Sequence, residues 1–401
     1  MKKKIIPLLT LSTLLVPSLS SCQSSQSSVD VAMISDIGTI NDSGFNQYTW
    51  EGAKTAADSL DMTSAYFVPT KDTDDERKSG IDAMIKRGAK VIVLTGYKFN
   101  DLVGEYATRY PNIGWFLIDG TQTVTESLNN VYSVEFREQE AGYLAGYAVV
   151  KDKKYTNLAF LGGMAVPAVE RFGFGYLSGI CDAANELAEA GELTSDINVT
   201  YGYTGDFGPS EKNQQNATNW YNAGTDVIFT CGGAICDSVV AATKKTTNNK
   251  AKMIGVDVNQ HPQQKDDLYI TSAEKKVEKT TNEAIKKWFD GRNTEEDNGS
   301  WGESAGKHDI LGSTTNSIGL PTDVLNGDDP WTFTNFTKED YNEIYRKLQE
   351  DSDYTKIVSN NDKDTTTVVK DGLSLDVTHV NIRYENVGQS VDNKPRTERK
   401  D

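Results

Sequence analysis

Histidine, cysteine and positive charge are all scarce in this chain, and each shortage argues against a class of function. The 401 residues include three histidines and four cysteines, and 58 acidic side chains outnumber 41 basic ones. The formal net charge of −17 argues against nucleic acid as a partner, because phosphates are bound by an excess of lysine and arginine. His261, His308 and His379 fall in no spacing typical of metal ligands, so we expect neither a metal site nor a cofactor.

Motifs of several enzyme classes are also missing. The chain has no GxxxxGK[ST] phosphate-binding loop, no GxGxxG after its first predicted strand and no G-x-S-x-G nucleophile elbow. The three scattered histidines provide few candidates for the histidine of a Ser-His-Asp triad. The sequence therefore favours a protein without enzymatic activity.

The cysteines do not suggest a disulfide framework. Apart from Cys22 near the N-terminus, the chain has Cys181, Cys231 and Cys236, an odd set. Cys231 and Cys236 flank the segment 232–235 and would be able to pair outside the cell. Two small residues at a strand–helix junction explain the same spacing, so both interpretations stay open.

The N-terminal segment has the features of a lipoprotein signal peptide. Lys2–Lys4 precede an apolar stretch, Ile5–Leu19, that is too short for a stable membrane span, and no internal apolar run is longer. The segment ends in Leu-Ser-Ser-Cys22, which resembles the bacterial lipobox, so residues 1–21 are the predicted signal peptide and Cys22 the predicted lipidation site. Residues 22–28 would form a polar tether, and acyl chains on Cys22 would hold the protein at a membrane face.

From Val29 onward, short apolar segments alternate with amphipathic ones, a pattern typical of parallel strands joined by helices. The series starts again near Leu158, and the length exceeds that of one compact domain, so we predict an α/β chain with two doubly wound parallel-sheet lobes. A polar tail, disordered from Val391, should end the chain. The predicted ranges are 29–147 plus about 274–305 for the N-terminal lobe, 148–273 plus about 306–385 for the C-terminal lobe, and 386–401 for the tail.

Polar or aromatic residues beside glycine end nearly every predicted strand. The carboxyl ends of parallel strands meet at one edge of a sheet, where ligands bind, and in two facing lobes these edges converge on a cleft. Each residue alone is more often a turn former, but the set indicates a site for a small, polar, partly flat ligand. The candidates are Asp36, Asn41, Asp42, Phe45 and Asn46 in the first strand–helix turn, and Tyr97, Asp119, Gly233 and Asp257 at later strand ends.

Five blocks in order across about 30–320 resemble the basic membrane lipoprotein family, whose characterised members are purine-nucleoside-binding receptors of ABC importers. The blocks are 35–47 with Trp50-Glu51-Gly52, the segment FREQEAGYLAG at 136–146, the glycine-rich stretch 162–179, GVDVNQ at 255–260 and TSAEK at 271–275. The resemblance implies a type I periplasmic-binding-protein fold with three crossovers between two hinged lobes. The polar segment after about Asp351 has no counterpart in the family.

By the same resemblance, aromatic rings hold the base, while acids and a lysine hold the ribose. The matching rings are Phe45 and Phe172, and the matching ribose candidates are Asp257 and Lys275, which would equally suit a structural ion pair at the hinge. Asp36, Asn46, Asp119 and Gly233 would complete the site.

The implied function is that of a monomeric, lipid-anchored, extracytoplasmic receptor that passes a nucleoside, with purines favoured, to an ABC permease. Three alternatives remain: a sugar receptor of the same fold, a surface interaction protein that has lost its ligand, and, more remotely, a nucleoside-processing enzyme.

Overall fold

The computed structural model describes residues 27–120, 127–261, 267–291, 299–324, 327–350 and 374–400. The predicted signal peptide, Cys22 and most of the predicted tether lie outside the described residues. No described helix combines the length and apolar character needed to cross a bilayer.

Fifteen strands are found in the described residues. Those that build the sheets are short, and the central strands at 31–34, 91–95, 114–118 and 227–231 are buried along their whole length, as expected of parallel strands covered on both faces. The strands are β1 (Val31–Ile34), β2 (Ser64–Phe67), β3 (Val91–Thr95), β4 (Gly114–Ile118), β5 (Val131–Phe136), β6 (Asn157–Gly162), β7 (Ile197–Tyr203), β8 (Val227–Cys231), β9 (Lys252–Asp257), β10 (Tyr269–Lys275), β11 (His308–Leu311), β12 (Ile318–Gly319), β13 (Leu375–Asp376), β14 (Val380–Glu385) and β15 (Thr397–Glu398).

The helices alternate with the strands through most of the chain. Three of them begin directly after a residue whose side chain accepts a hydrogen bond from the first turn: Thr73 at α2, Thr337 at α9 and, as the sequence predicts, Ser210 at α6. The helices are α1 (Phe45–Ser59), α2 (Asp74–Lys86), α3 (Asn100–Arg109), α4 (Glu138–Lys151), α5 (Pro167–Glu189), α6 (Glu211–Asn222), α7 (Ile235–Thr243), α8 (Val277–Asp290) and α9 (Lys338–Glu350).

Two sheets form the centres of two lobes, which confirms the predicted α/β class. The first sheet has the order β11-β5-β4-β3-β1-β2, and all its neighbours are parallel. The second has the order β12-β10-β9-β8-β6-β7-β14, in which β12 alone runs antiparallel to its neighbour. In the first sheet, the chain continues from β1 to β2 on one side and to β3 on the other; in the second sheet, it continues from β6 to β7 on one side and to β8 on the other. At such a reversal of strand order, a crevice opens beyond the carboxyl ends of the strands.

The chain crosses between the lobes three times, after β5, after β10 and after β11. The lobe limits differ from the predicted ones, because the sequence does not show what each element packs against. Helix α4 packs on α5 and β10 of the second lobe, so the first crossover lies near Arg137 and not after residue 147. Strand β11 pairs with β5, so the first lobe extends to Leu311 and not to about 305.

One cluster of buried apolar side chains extends through both lobes, and the contact of α4 with α5 lies within it. The glycines of α4, which the sequence marks as a small-residue stripe, lie directly against the backbone of α5. A Cβ atom on Gly142 would lie 2.2 Å from the Phe172 carbonyl oxygen, and one on Gly146 would lie 2.2 Å from that of Tyr176. The close approach of the two helices therefore requires glycine at both positions.

The predicted disorder of the C-terminal tail is wrong for the described residues. Gln389 forms an isolated bridge with Tyr203, Val391 is 6% exposed, and β15 pairs with β13. The polar composition of this segment suggested disorder, but its contacts are with distant parts of the chain, which composition does not reveal.

Candidate functional site

A cavity of about 580 Å³ lies between the lobes, beyond the carboxyl ends of the strands. It is lined by every residue that the sequence nominated for ligand binding, from both lobes. These are Asp36, Asn41, Asp42, Phe45, Asn46, Tyr97, Asp119, Phe172, Gly233, Asp257 and Lys275.

The turn after β1 is held in shape by its own carboxylates. Asp42 accepts hydrogen bonds from the backbone N–H groups of Gly44 (2.9 Å), Asn46 (3.0 Å) and Gln47 (3.1 Å), and so satisfies donors at the start of α1. Asp36 accepts from the N–H groups of the two residues that follow it through Oδ1. Its Oδ2 has no hydrogen-bond partner among the described residues and is therefore available to a ligand.

Asn46 anchors this turn to the sheet. Its side-chain Nδ2 donates to Asp42 (3.1 Å), while its Oδ1 accepts from the hydroxyl groups of Ser35 and Thr95, both at 3.1 Å. The amide is thus engaged at both ends within the protein. Its geometry fits a role in shaping the cavity wall better than direct contact with a ligand.

Lys275 is the centre of the polar part of the cavity. The side chain is 3% exposed, and its ammonium forms an ion pair with Asp119 Oδ2 and lies 3.4 Å from Glu138 Oε1 and 3.6 Å from Asp257 Oδ1. Asp119 comes from the first lobe and Asp257 from the second, while Lys275 ends β10 at a crossover. This ion cluster therefore joins the two lobes at the hinge and lines the cavity at the same time.

Burial changes the protonation behaviour of these groups. Burial disfavours the charged form of Lys275 and so acts to lower its pKa. The nearby carboxylates of Asp119, Asp257 and Glu138 raise this pKa by more than burial lowers it, so it lies above its usual value. Burial raises the pKa of Asp119 to about 7 and that of Asp257 to about 6, although the ammonium of Lys275 lowers both. Asp119 Oδ1 is buried without a hydrogen-bond partner among the described residues, so it remains free to accept from a ligand hydroxyl.

The predicted rings lie beside the same ammonium, one from each lobe. The Lys275 Nζ atom is 4.7 Å from the ring centroid of Phe45 and 5.9 Å from that of Phe172. Phe172 is buried and meets Phe229 edge-on, with centroids 6.1 Å apart, which fixes its orientation. Tyr97 is 39% exposed and contributes to the wall of the cavity.

The turn after β1 also touches the second lobe. The Gln260 side chain donates from Nε2 to the backbone carbonyl of Ser43 at 2.8 Å. A Cβ atom on Gly44 would lie 3.3 Å from Asp257 Oδ2 and 3.7 Å from the Cα atom of Gly233. The lobes are thus in contact across the cavity in this structure.

Several lining residues were missed by sequence reasoning. Arg171 is buried and pairs with Glu138 (2.7 Å) and Glu135 (3.1 Å), and the two residues Arg171 and Glu135 line the cavity. Neither lies beside a glycine at a strand end, so the pattern of polar and aromatic residues beside glycine gives no signal for them. Phe207 does fit that pattern, because it lies between Gly205 and Gly208 after β7, so the sequence carries a signal for this residue.

Cys231 and Cys236 are free, buried thiols, as is Cys181. Of the two interpretations left open by the sequence, the structure supports unpaired residues at a strand–helix junction. Cys231 ends β8 and lines the cavity, whereas Cys236 lies in the first turn of α7.

Comparison with known sequences gives a match over most of the chain. The profile of the family described as ABC transporter substrate-binding protein PnrA-like matches residues 29–310. A Lactococcus lactis protein named ABC transporter nucleoside-binding protein BmpA is 27% identical over 65% of this chain and 75% of its own length. The CD4+ T-cell-stimulating antigen of Listeria monocytogenes is 28% identical over 57% of this chain and 63% of its own length, a little under two thirds. Basic membrane protein A of Borreliella burgdorferi is 27% identical over 63% of this chain and 70% of its own length.

Solved structures show the same fold. An ABC transporter solute-binding protein from Aeropyrum pernix K1 has a TM-score of 0.61 at 24% identity, covering 83% of this chain and 90% of that one. One from Conexibacter woesei has a TM-score of 0.57 at 18% identity, covering 80% and 96%. These likenesses confirm the predicted type I periplasmic-binding-protein fold. Because the profile covers more than half of the sequence, the chain belongs to the PnrA-like family of ABC transporter substrate-binding proteins.

Proposed function

We propose that the protein is a lipid-anchored, extracytoplasmic receptor that captures a purine nucleoside between its lobes and delivers it to an ABC importer. The observation that carries the proposal is the ion cluster around Lys275, in which buried carboxylates from both lobes lie beside aromatic rings from both lobes. A ribose with two neighbouring hydroxyl groups suits such carboxylate acceptors, and a flat base suits the rings.

The size and lining of the cavity support this ligand class. A volume of about 580 Å³ falls within the range of small-molecule sites. Beyond the polar cluster, much of the wall is apolar, which is more than a free sugar requires but suits a sugar joined to a base. Apolar lining residues include Met164, Val166, Val169, Phe207 and Pro209.

Calorimetry of the ligand-stripped domain from residue 27 onward tests the proposal. Adenosine, guanosine, inosine, uridine and ribose are titrated in turn, and binding of the purine nucleosides is expected. Heat with ribose alone would support the sugar receptor, and no heat with any compound would support a surface protein without a ligand. Assay of the mixture for free base afterwards would reveal an enzyme.

The anchoring part of the proposal rests on Cys22, which lies outside the described residues. In cells making the full chain, we expect the protein in the membrane fraction and labelled by palmitate. The Cys22→Ala variant should lose the palmitate label and should no longer be found in the membrane fraction. If the variant is labelled and remains in the membrane fraction as the unsubstituted chain does, the prediction of lipidation at Cys22 is wrong.

A further inference from the structure

We propose that the segment 385–393, here called the C-terminal strap, positions the two loops that form the second-lobe wall of the cavity. The loops are 163–167, after β6, and 204–209, after β7, and the residue that acts on both is Gln389. This inference rests on the proposed nucleoside-binding function. It concerns a part of the chain beyond residue 310, where the family profile ends.

The strap begins at the outer edge of the second sheet. Strand β14 pairs in parallel with β7 from Val380 to Glu385, and the chain then turns across the carboxyl end of β7. The backbone N–H of Gln389 donates to the Tyr203 carbonyl at 3.0 Å. Gly388 lies against Thr204, the residue that follows Tyr203, and a Cβ atom on Gly388 would be 1.7 Å from the Thr204 carbonyl oxygen.

The side chain of Gln389 reaches the other loop. Its Oε1 accepts a hydrogen bond from the backbone N–H of Ala165 at 2.9 Å. Ala165 stands between Met164 and Val166, and both of these line the cavity. One residue of the strap thus bonds the end of β7 through its backbone and the loop after β6 through its side chain.

Contacts on either side of Gln389 hold the strap in place. Trp220 Nε1 donates to Glu385 at 2.6 Å, and the Asn216 side chain donates to the Val387 carbonyl at 3.0 Å. Beyond Gln389, the Asn393 side chain donates to Glu170 Oε1 at 2.9 Å, in the first turn of α5. The strap is therefore fixed at both ends and able to constrain what it touches.

The strap itself lines no part of the cavity, whereas the loops it bonds contribute much of the second-lobe wall. A loop that is ordered before binding loses less conformational entropy when the ligand arrives. Gln389 is therefore a positioning residue, which acts on affinity through the wall and not by contact with the ligand.

A pair of substitutions separates this role from general packing. Gln389→Met keeps the length of the side chain but removes the acceptor, whereas Gln389→Glu keeps an acceptor at the same place. With inosine as the probe, Gln389→Met should raise Kd about tenfold, the factor that corresponds to about 1.4 kcal/mol, chiefly through faster dissociation. Gln389→Glu should stay within about twofold of the unsubstituted protein, as expected when the hydrogen bond is retained.

Asn381→Ala provides the matched control. Asn381 lies on β14 and donates to Asn198 at 3.3 Å, near the start of β7 and away from the cavity, so its loss should leave Kd unchanged. Gly388→Ala is a second test, because its Cβ would displace the strap from Thr204; it should weaken inosine binding even if Gln389→Met fails to fold.

Thermal unfolding of each ligand-free variant is measured alongside. The inference would be overturned if Gln389→Met and Gly388→Ala bound inosine as tightly as the unsubstituted protein does. It would also be overturned if Asn381→Ala lost as much affinity for inosine as Gln389→Met, or if Gln389→Glu bound inosine as weakly as Gln389→Met. Absence of binding by the unsubstituted protein to any nucleoside would instead overturn the proposed function, so the two failures are distinct.

Discussion

Asp119 and Asp257, one from each lobe, adopt the same left-handed backbone conformation at the end of a parallel strand, with φ angles of 57° and 66°, and direct their carboxylates to one lysine. Such angles are uncommon outside glycine and occur most often at aspartate and asparagine. In both lobes the left-handed turn ends a central strand and turns the carboxylate toward the cavity. The ammonium of Lys275 thereby links the two lobes.

The first prediction concerns stability. Lys275→Met leaves the carboxylates of Asp119 and Asp257 buried without their cation, so the free energy of unfolding should fall by about 3–5 kcal/mol. Urea unfolding at pH 8 measures the loss, which should shrink at pH 5 as the carboxyl groups become protonated. Lys279→Met, which removes an exposed ion pair with Glu283, is the control and should have little effect. A loss for Lys275→Met no greater than the control's would contradict this account of the cluster.

The second prediction concerns pH and affinity. A ribose donates its hydroxyl protons, so it prefers the ionised forms of Asp119 and Asp257, whose pKa values burial raises to about 7 and about 6. Affinity should therefore be lost as the pH falls through these values, and Kd for inosine should rise about tenfold or more between pH 8 and pH 5. Calorimetry at both pH values tests this, with Asp257→Asn expected to show a smaller change. A constant Kd would show that neither carboxylate titrates in contact with the ligand.

The third prediction concerns phosphate groups. Eight carboxylates and three cationic side chains line the described cavity, and Lys98, Arg171 and Lys275 are each paired with a carboxylate already. Inosine 5′-monophosphate should bind at least about 100-fold more weakly than inosine, because like charges brought together cost several kcal/mol. Inosine carrying a 5′-O-methyl group adds bulk without charge and separates the two causes. Equal binding of the nucleotide would show that the cavity potential is not negative.

The fourth prediction concerns the thiols. Burial raises the pKa of Cys231 well above its usual value and that of Cys236 to about 12, so both should react slowly in the folded protein. In the domain from residue 27 onward, a thiol-specific dye should titrate all three cysteines after unfolding in guanidinium without reductant. Detection of one thiol alone would indicate a disulfide between Cys231 and Cys236.

The alternation of strands and helices was sufficient to predict the class of fold, and the pattern at the strand ends was sufficient to predict nine residues of one cavity. Phe172 and Lys275, which line the same cavity, were predicted from the family resemblance alone. The sequence did not show which of these cavity side chains form hydrogen bonds within the protein. Asp42 and Asn46 bond the start of α1 and the adjoining strands, and whether they do so depends on the path of the turn between them. Arg171 and Glu135 reach the cavity through the packing of α5 against a crossover, for which periodicity gives no signal.

Errors in the lobe limits have the same origin. Nothing in the sequence of α4 indicates that its partner is α5 and not the first sheet, since a helix with glycines and apolar residues on most faces would pack well on either. The bridge between Gln389 and Tyr203 joins residues more than 180 positions apart, so the segment 386–401 looked like a polar tail. Local patterns predict elements, while long-range contacts decide their neighbours.

The central claim is that the carboxylates around Lys275 hold the two ribose hydroxyl groups, and a cycle of four calorimetric titrations tests it most directly. The protein and its Asp257→Asn variant are each titrated with inosine and with 2′,3′-dideoxyinosine, so that the coupling between carboxylate and hydroxyls is isolated. Asp257→Asn should weaken binding of inosine by about 1.5–3 kcal/mol, as expected for a hydrogen bond to a charged group, and leave binding of the dideoxy compound nearly unchanged. Equal losses for both compounds would mean that Asp257 serves the hinge alone and that the ribose is held elsewhere.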